Sequence, residues 1–252
     1  MKITVLGSGS AFSDSRRFNS AYLVEDGDLC LMIDCGSDAL RALQNAKIDL
    51  FSVQDIYLTH MHADHCGGLP AVLTGMDVLK REKKLTVHVP APQLAFVRSW
   101  LANLFIFNER MSFETEMIPL NAGKIRLGNG IELEFVETRH LDKYAEIARR
   151  SGIASMSFSV IVRKAEKVFF FSSDVASIDE IELHLDASLS FVEASHVGLE
   201  GIARVSGKRN ESIFFTHVPQ ELEAGGIWRK ELNERFGVKK PNMVYDGQVF
   251  EI

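Results

Sequence analysis

Thr59-His60-Met61-His62-Ala63-Asp64-His65-Cys66-Gly67-Gly68 places three histidines and one aspartate within six residues. Neutral imidazole and carboxylate are the donors that borderline divalent metals prefer. His60 and His62 are two apart, so in an extended or turning segment both rings reach one ion. Asp64 and His65 fall at the mouth of the following helix and can face a second ion. Gly67 and Gly68 let the backbone turn into that helix with no Cβ in the way. A polar turn with solvated histidines is the bland alternative, and ligand-type residues this dense weigh against it.

Outward from this stretch, apolar strands alternate with helical segments. Asp55–Leu58 reads as a buried strand feeding His60, and Leu69–Lys83 as a helix ending in the basic cluster Lys80-Arg81-Lys83-Lys84, a charge that suits a helix C-terminus. Upstream, Lys2–Leu6 is a strand, Ser20–Val24 and Leu29–Ile33 form a hairpin, and Ser37–Ala46 is a helix. Downstream, Leu85–Val89 is a strand and Pro92–Phe107 a helix. The second half has strands at Ile131–Glu137, Ser157–Val162, Val168–Phe171, Leu189–Val192 and Ile213–Phe215. It has helices at Asp142–Arg150, Ile178–Leu185 and Pro219–Phe236, and closes with strands near Met243–Tyr245 and Val249–Ile252. His60, His140, Asp174 and His217 each follow an apolar strand. Side chains at strand ends along one sheet edge converge on a point while rigid strands hold them.

Composition narrows the class. The 252 residues are 46% hydrophobic and 25% charged, ordinary values for a globular chain, so disorder and low complexity are excluded. Cys30, Cys35 and Cys66 are odd in number and form no CxxC pair, which points to a reducing compartment. The net charge of −6 counts against a broad nucleic-acid footprint. The opening Met1-Lys2-Ile3-Thr4-Val5-Leu6-Gly7 reaches glycine too early for a secretory core, and the apolar stretch Ser99 to Phe107 is about half a membrane span. The expectation is a soluble, cytoplasmic protein with no membrane partner.

The His-x-His-x-Asp-His signature resembles that of the metallo-β-lactamase superfamily. The likeness extends to Leu6-Gly7-Ser8-Gly9-Ser10, to Ile33-Asp34-Cys35-Gly36, and to His140, Asp174 and His217 in the expected order. Phe169-Phe170-Phe171-Ser172-Ser173-Asp174 and Phe214-Phe215-Thr216-His217 are similar to the ribonuclease Z-like and phosphodiesterase branch. The resemblance implies a four-layered αββα sandwich of two βαβ-like halves, an α/β fold formed by a single domain over residues 1–252. It implies one metal site of His60, His62 and His140, a second of Asp64, His65 and His217, and Asp174 bridging two divalent ions. Zinc is the default, and manganese or iron suits the same mixed donors. A hydroxide shared by the two ions would attack a phosphodiester in line, with Asp64 as metal ligand and candidate general base. Asp34 would hydrogen-bond a ligand or its loop.

Two departures bear on the substrate. Ribonuclease Z has a late His-Glu-Ala-Thr segment whose histidine protonates the leaving group. Here the matching segment is Val192-Glu193-Ala194-Ser195, and His196 just downstream is the candidate acid from a shifted position, with Glu193 orienting it. The 34 residues from His140 to Asp174 have space for the short helix Asp142–Arg150 but not for the tRNA-gripping arm of that family. A small phosphodiester, such as a nucleotide, therefore ranks above tRNA 3′-processing. Hydrolysis of a thioester, lactone or β-lactam is a further reading, and a non-catalytic metal-binding scaffold an outside one.

Lesser features carry their own expectations. Tyr144, Arg149 and Arg150 form a candidate lid or, more simply, a solvated helix. Arg16 and Arg17, in the loop Ser13–Asn19, either reach the metal mouth or face solvent. Lys208 and Arg209 read as a mobile loop, and His88 and His184 as structural. Cys66 is not a ligand. Trp100, Leu101, Leu104 and Phe105, at helical spacing, belong to the core or to a homodimer face.

Overall fold

A computed structural model describes residues 1–12, 15–207 and 211–252. The first half builds strands β1 (Lys2–Gly7), β2 (Ala21–Asp26), β3 (Leu29–Ile33), β4 (Asp55–Tyr57), β5 (Leu85–Pro90) and β6 (Thr115–Leu120). The second half builds β7 (Gly123–Arg126), β8 (Ile131–Glu137), β9 (Phe158–Lys164), β10 (Lys167–Phe171), β11 (Leu189–Glu193) and β12 (Ile213–Thr216). The closing strand β13 (Val249–Glu251) returns to pair with β1. The sheet orders are β13-β1-β2-β3-β4-β5-β6 and β12-β11-β10-β9-β8-β7. Helices α1 (Ala39–Asn45), α2 (Ala63–Cys66), α3 (Leu69–Val78) and α4 (Leu94–Asn103) belong to the first half, and α5 (Ala145–Arg150), α6 (Gly198–Ser206) and α7 (Ile227–Phe236) to the second.

Strict alternation along the strands produces the layers. In β1 to β3, Ile3, Val5, Tyr22, Val24, Leu31 and Ile33 face the second sheet. Their neighbours Leu6, Leu23, Cys30 and Met32 face α1 and α3. In β10, Phe169 and Phe171 point between the sheets while Phe170 points to the outer core containing Ile202 of α6 and Leu232 of α7. Both faces of each sheet are thus buried, which requires four layers and gives the expected αββα sandwich. Cys30, Cys35 and Cys66 are buried free thiols. Among the described residues no helix is long and apolar enough to cross a membrane.

Several elements differ from the sequence reading. Helix α3 stops at Val78 rather than Lys83, because Lys80 takes a left-handed φ of 63°. Arg81 then turns inward, buried at 1% exposure, and donates to the carbonyls of Leu50, Lys83 and Lys84. The helix expected over Pro92–Phe107 is a 3₁₀ turn, Ala91–Gln93, followed by α4, and it ends before Phe105 at φ 59°. The segment expected as a helix over Ile178–Leu185 is two 3₁₀ turns, and Pro219–Phe236 is broken at Gly225-Gly226. Met243 makes only an isolated bridge to Phe215. Strands β6 and β7 and helix α6 were not expected. Lys208 and Arg209 lie outside the described residues.

Candidate metal centre and its surroundings

The site forms where strand ends of both sheets meet. His60 follows β4, with His62, Asp64 and His65 entering or forming α2. His140, Asp174, His196 and His217 follow β8, β10, β11 and β12. The entry to α2 is held by backbone. Cys35 N–H donates to the His65 carbonyl at 2.7 Å, and Gly68 N–H to the Cys35 carbonyl at 2.9 Å. A Cβ on Gly68 would overlap the carbonyl oxygen of Gly36, so glycine is required there by close backbone approach. Asp34, Ser173 and His217 have left-handed φ values of 61°, 47° and 50°. Such strain costs about 1–3 kcal/mol per residue and persists only where the surroundings fix it.

The seven residues named from the sequence converge. Asp174 stands at the centre with its two oxygens divided. Oδ2 lies 3.4 Å from His140 Nε2 and 3.8 Å from His60 Nε2. Oδ1 lies 3.3 Å from His65 Nε2 and 3.6 Å from His217 Nε2. On one side, His140 Nε2 is 3.1 Å from His62 Nδ1. On the other, Asp64 Oδ2 is 3.0 Å from His217 Nε2 and 3.7 Å from His65 Nε2. His60, His62, His140 and Asp174 form one group with donor atoms close enough for a divalent ion, and Asp64, His65 and His217 another.

A ring of hydrogen bonds orients this cluster. Asp34 Oδ2 accepts from His65 Nδ1 at 2.6 Å and from the Ser20 hydroxyl at 2.9 Å. Its Oδ1 accepts from the Thr59 amide and hydroxyl at 2.9 and 2.8 Å. The Ser173 hydroxyl donates to Thr59 Oγ1, tying the Asp174 loop to the same carboxylate. With Nδ1 of His65 committed to Asp34, its Nε2 is left facing the cluster. The Thr138 hydroxyl donates to the Asp174 carbonyl and so joins the His140 and Asp174 segments. Asp34 was expected to support the ligands; Ser20, Thr59 and Ser173 carry no sequence signal, because hydroxyls are common at strand ends.

Burial and neighbouring charge set the protonation. Burial, reinforced by neighbouring imidazoles, lowers His60 well below the ordinary histidine range. Burial also lowers His62, and it lowers His140 to about 3. These rings are neutral, the form that binds metal. Burial opposes the charged form of His65, but Asp174 and Asp34 outweigh it and hold His65 high. Burial likewise opposes ionisation of Asp64, yet the hydrogen bond and charge of His217, with His65, bring it to about 2. Asp174 is held well below the carboxylate range as His217 and His65 overcome its burial. His60 Nε2 and Asp174 Oδ1 are buried with no hydrogen-bond partner among the described residues. Buried polar atoms are rarely left so, and an imidazole nitrogen and a carboxylate oxygen left bare inside this cluster are donors that fit divalent cations.

His196 stands at the rim, its Nδ1 3.3 Å from Glu193 Oε1 and 3.6 Å from Asp174 Oδ2. Glu193 Oε2 also accepts from the His196 amide. Burial alone would lower this histidine, but the Glu193 hydrogen bond and charge raise it. A cavity of about 510 Å³ opens here, lined by Ser10, Phe12, Asp64, Asp174, His196 and His217. Arg17 does not enter it. It is buried, paired with Glu223, and donates to Ser8 Oγ and the Val244 carbonyl, so it braces the Ser8–Ser10 loop. Arg16 is exposed. His88 stacks on Tyr57 and faces Asp55, and His184 rests on Phe170, both structural as expected. Leu101 belongs to the core while Leu104 and Phe105 are exposed.

A family profile described as anti-Pycsar protein Apyc1 matches residues 1–222. The chain belongs to the Apyc1 anti-Pycsar family. Solved structures of the metallo-β-lactamase fold superpose on nearly the whole chain. Ribonuclease Z of Methanosarcina acetivorans is 29% identical over 140 residues, a match spanning 56% of this chain and 45% of that relative. This chain thus covers less than half of the curated relative's length. Among solved structures, the metallo-β-lactamase fold protein YhfI of Bacillus subtilis superposes with a TM-score of 0.73 at 18% identity, over 99% of this chain and 98% of that one. The human short-form tRNase Z, ELAC1, superposes with 0.71 at 17% identity, over 100% and 99%. These two likenesses establish the fold.

Proposed function

We propose that this chain is a metal-dependent hydrolase of small phosphodiesters. The carrying observation is the division of Asp174, whose two oxygens face two separate imidazole sets. His60, His62 and His140 would hold one divalent ion, Asp64, His65 and His217 a second, and Asp174 would lie between them. Zinc is the default, and manganese or iron suits the same donors. When bound, such a pair of ions lowers the pKa of water and offsets the charge that builds on a transferring phosphate.

The remaining roles fall to the chain. Asp64, a carboxylate at the cavity wall, orients the attacking water and accepts its proton at a carboxylate oxygen. His196 faces the same cavity. With Nδ1 turned to Glu193, its Nε2 is the atom that delivers a proton to the leaving oxygen. His196 thereby takes the place of the histidine for which Val192 stands in this chain. The Asp34, Ser20 and Thr59 network keeps His65 in one tautomer.

Support for a small substrate is threefold. The chain is acidic, while gripping a folded RNA takes many phosphate contacts and a concentration of basic residues. The His140–Asp174 interval holds a 3₁₀ turn at Asp142–Tyr144, α5, and strands β9 and β10. The cavity at the site is about 510 Å³, the scale of a small ligand. The relative's name, ribonuclease Z, favours tRNA 3′-processing as the second reading. A homodimer through the exposed Leu104 and Phe105 belongs to the same proposal.

The test is an assay panel on protein whose metal content is known by elemental analysis. Bis(4-nitrophenyl) phosphate and a cyclic nucleotide should turn over. Cleavage of a tRNA precursor without either would select the ribonuclease reading, and turnover of a thioester or lactone alone would defeat the phosphodiesterase assignment. His196→Gln should lower kcat by about 100-fold with metal content unchanged; unaltered kcat removes His196 from the mechanism.

A further inference from the structure

His217 is held differently from His65 and His60. His65 has Asp34 behind its Nδ1, and His60 Nδ1 lies 3.2 Å from Thr59 Oγ1. His217 Nδ1 is buried with no hydrogen-bond partner among the described residues, while its Nε2 faces Asp64 and Asp174. With no side chain hydrogen-bonded behind the ring, its direction depends on its backbone. That backbone is left-handed, at φ 50°. A residue other than glycine keeps such a conformation only where its neighbours hold it.

Two bonds flank His217. The Ser195 hydroxyl donates to its carbonyl at 2.8 Å. The amide of the next residue, Val218, donates to the Ser8 carbonyl at 2.9 Å. Ser8 follows β1 and is fully buried. It is gripped in turn by Asp246, from the segment before β13. Asp246 Oδ1 accepts from the Ser8 amide at 2.9 Å and from the Ser8 hydroxyl at 2.6 Å. Its Oδ2 accepts from the Phe18 amide at 2.6 Å, and the Phe18 carbonyl accepts from Gly9. The Ser8 hydroxyl also accepts from Arg17 at 2.6 Å. A guanidinium only donates, so the single hydroxyl proton of Ser8 is committed to Asp246. The amide, hydroxyl and carbonyl of Ser8 are therefore all engaged, and Ser8 cannot shift without moving Val218.

We propose that Asp246 is a positioning residue for the second metal site. By fixing Ser8 it fixes the Val218 amide, and with it the left-handed turn that points His217 Nε2 toward Asp64 and Asp174. Asp246 does this without giving an atom to an ion, and it lies beyond residues 1–222 that the family profile matches. The site of Asp64, His65 and His217 should feel its loss. The site of His60, His62 and His140, whose strands β4 and β8 do not carry the clasp, should not. The role of Asp246 rests on the two-ion reading proposed above, whereas the clasp itself stands on its hydrogen bonds.

The test is chelator titration of zinc-loaded protein, with the zinc retained per chain measured at each step. The unmodified chain should give up two ions. His217→Ala marks which step belongs to the second site, because that step alone should be lost. In Asp246→Ala the same step should move to about tenfold weaker affinity while the other stays within about twofold, the pattern of an outer partner that orients one ligand. Ser8→Ala keeps the backbone bonds of the clasp and removes only its hydroxyl bridge. It should weaken the same ion about threefold, the scale of one hydrogen bond, and it carries the test if Asp246→Ala does not fold. Equal weakening of both ions would mean that the clasp only supports the fold, and two unchanged affinities that packing alone aims His217; either result overturns the proposal. Fewer than two ions in the unmodified chain would defeat the two-ion reading itself, and this role of Asp246 with it.

Discussion

Asp34 has no place for an ion, yet it accepts four hydrogen bonds with both oxygens, from Ser20, Thr59 twice and His65. It is fully buried and its backbone is left-handed. Losing this carboxylate frees His65 to change tautomer and rotate, and strands buried donors. Outer partners of metal-binding imidazoles typically govern metal affinity by about 10- to 100-fold. Asp34→Ala should therefore weaken zinc by that factor in chelator competition, although no ligand has been removed. Zinc affinity within twofold of the unmodified protein would show that His65 is oriented by packing alone. The Asp34 role was legible from its place after an apolar strand in Ile33-Asp34-Cys35-Gly36. Its hydroxyl partners Ser20 and Thr59 were not, nor was Ser173, which donates to Thr59 Oγ1 from the second sheet.

At the scale of elements, the buried strands were readable because each alternates between two apolar layers. Strands β6 and β7 escaped for the opposite reason. Each lies at the open edge of its sheet, where Thr115-Glu116 and Lys124 to Arg126 meet solvent, and Pro119 removes a donor that an edge can spare. Helix α6 was hidden by Gly198 and Gly201, poor helix formers whose low propensity is overridden by burial of Ile202 and Val205. The end of α3 was misread because Arg81 looked like one of a basic cluster suited to a helix C-terminus. Instead its guanidinium closes the turn between α3 and β5 on three carbonyls, over the ring of Phe113. Arg81→Ala should leave those carbonyls unpaired and open a void under Phe113. A loss of about 2–4 kcal/mol is expected, read as a lower midpoint in urea unfolding at unchanged slope. A loss under 0.5 kcal/mol would place Arg81 among the surface cations after all.

For the whole molecule, the site is a consequence of topology. The parallel strands β10, β11 and β12 end on the same edge, so Asp174, His196 and His217 are delivered together. The first sheet delivers His60 to that edge through β4. The chain thus concentrates five imidazoles and two carboxylates between its halves, with His60 Nε2 and Asp174 Oδ1 unpartnered among the described residues. Such a cluster is costly to bury unless cations complete it, because each unsatisfied polar atom loses its water for nothing. Ions that bind only the folded chain stabilise it by mass action, about 4 kcal/mol for one site at 1,000 times its Kd. In a chain of this size that corresponds to a Tm change on the order of 10 °C. Chelation should lower Tm by that much, and zinc should restore it. Arg81→Ala, which acts far along the chain from the ligands, should start from a lower Tm yet show the same chelator shift, since independent sites add. A Tm that ignores chelation in protein shown to be zinc-loaded would mean the two sheets hold their imidazoles and carboxylates together without help, and the metal reading would lose its energetic basis.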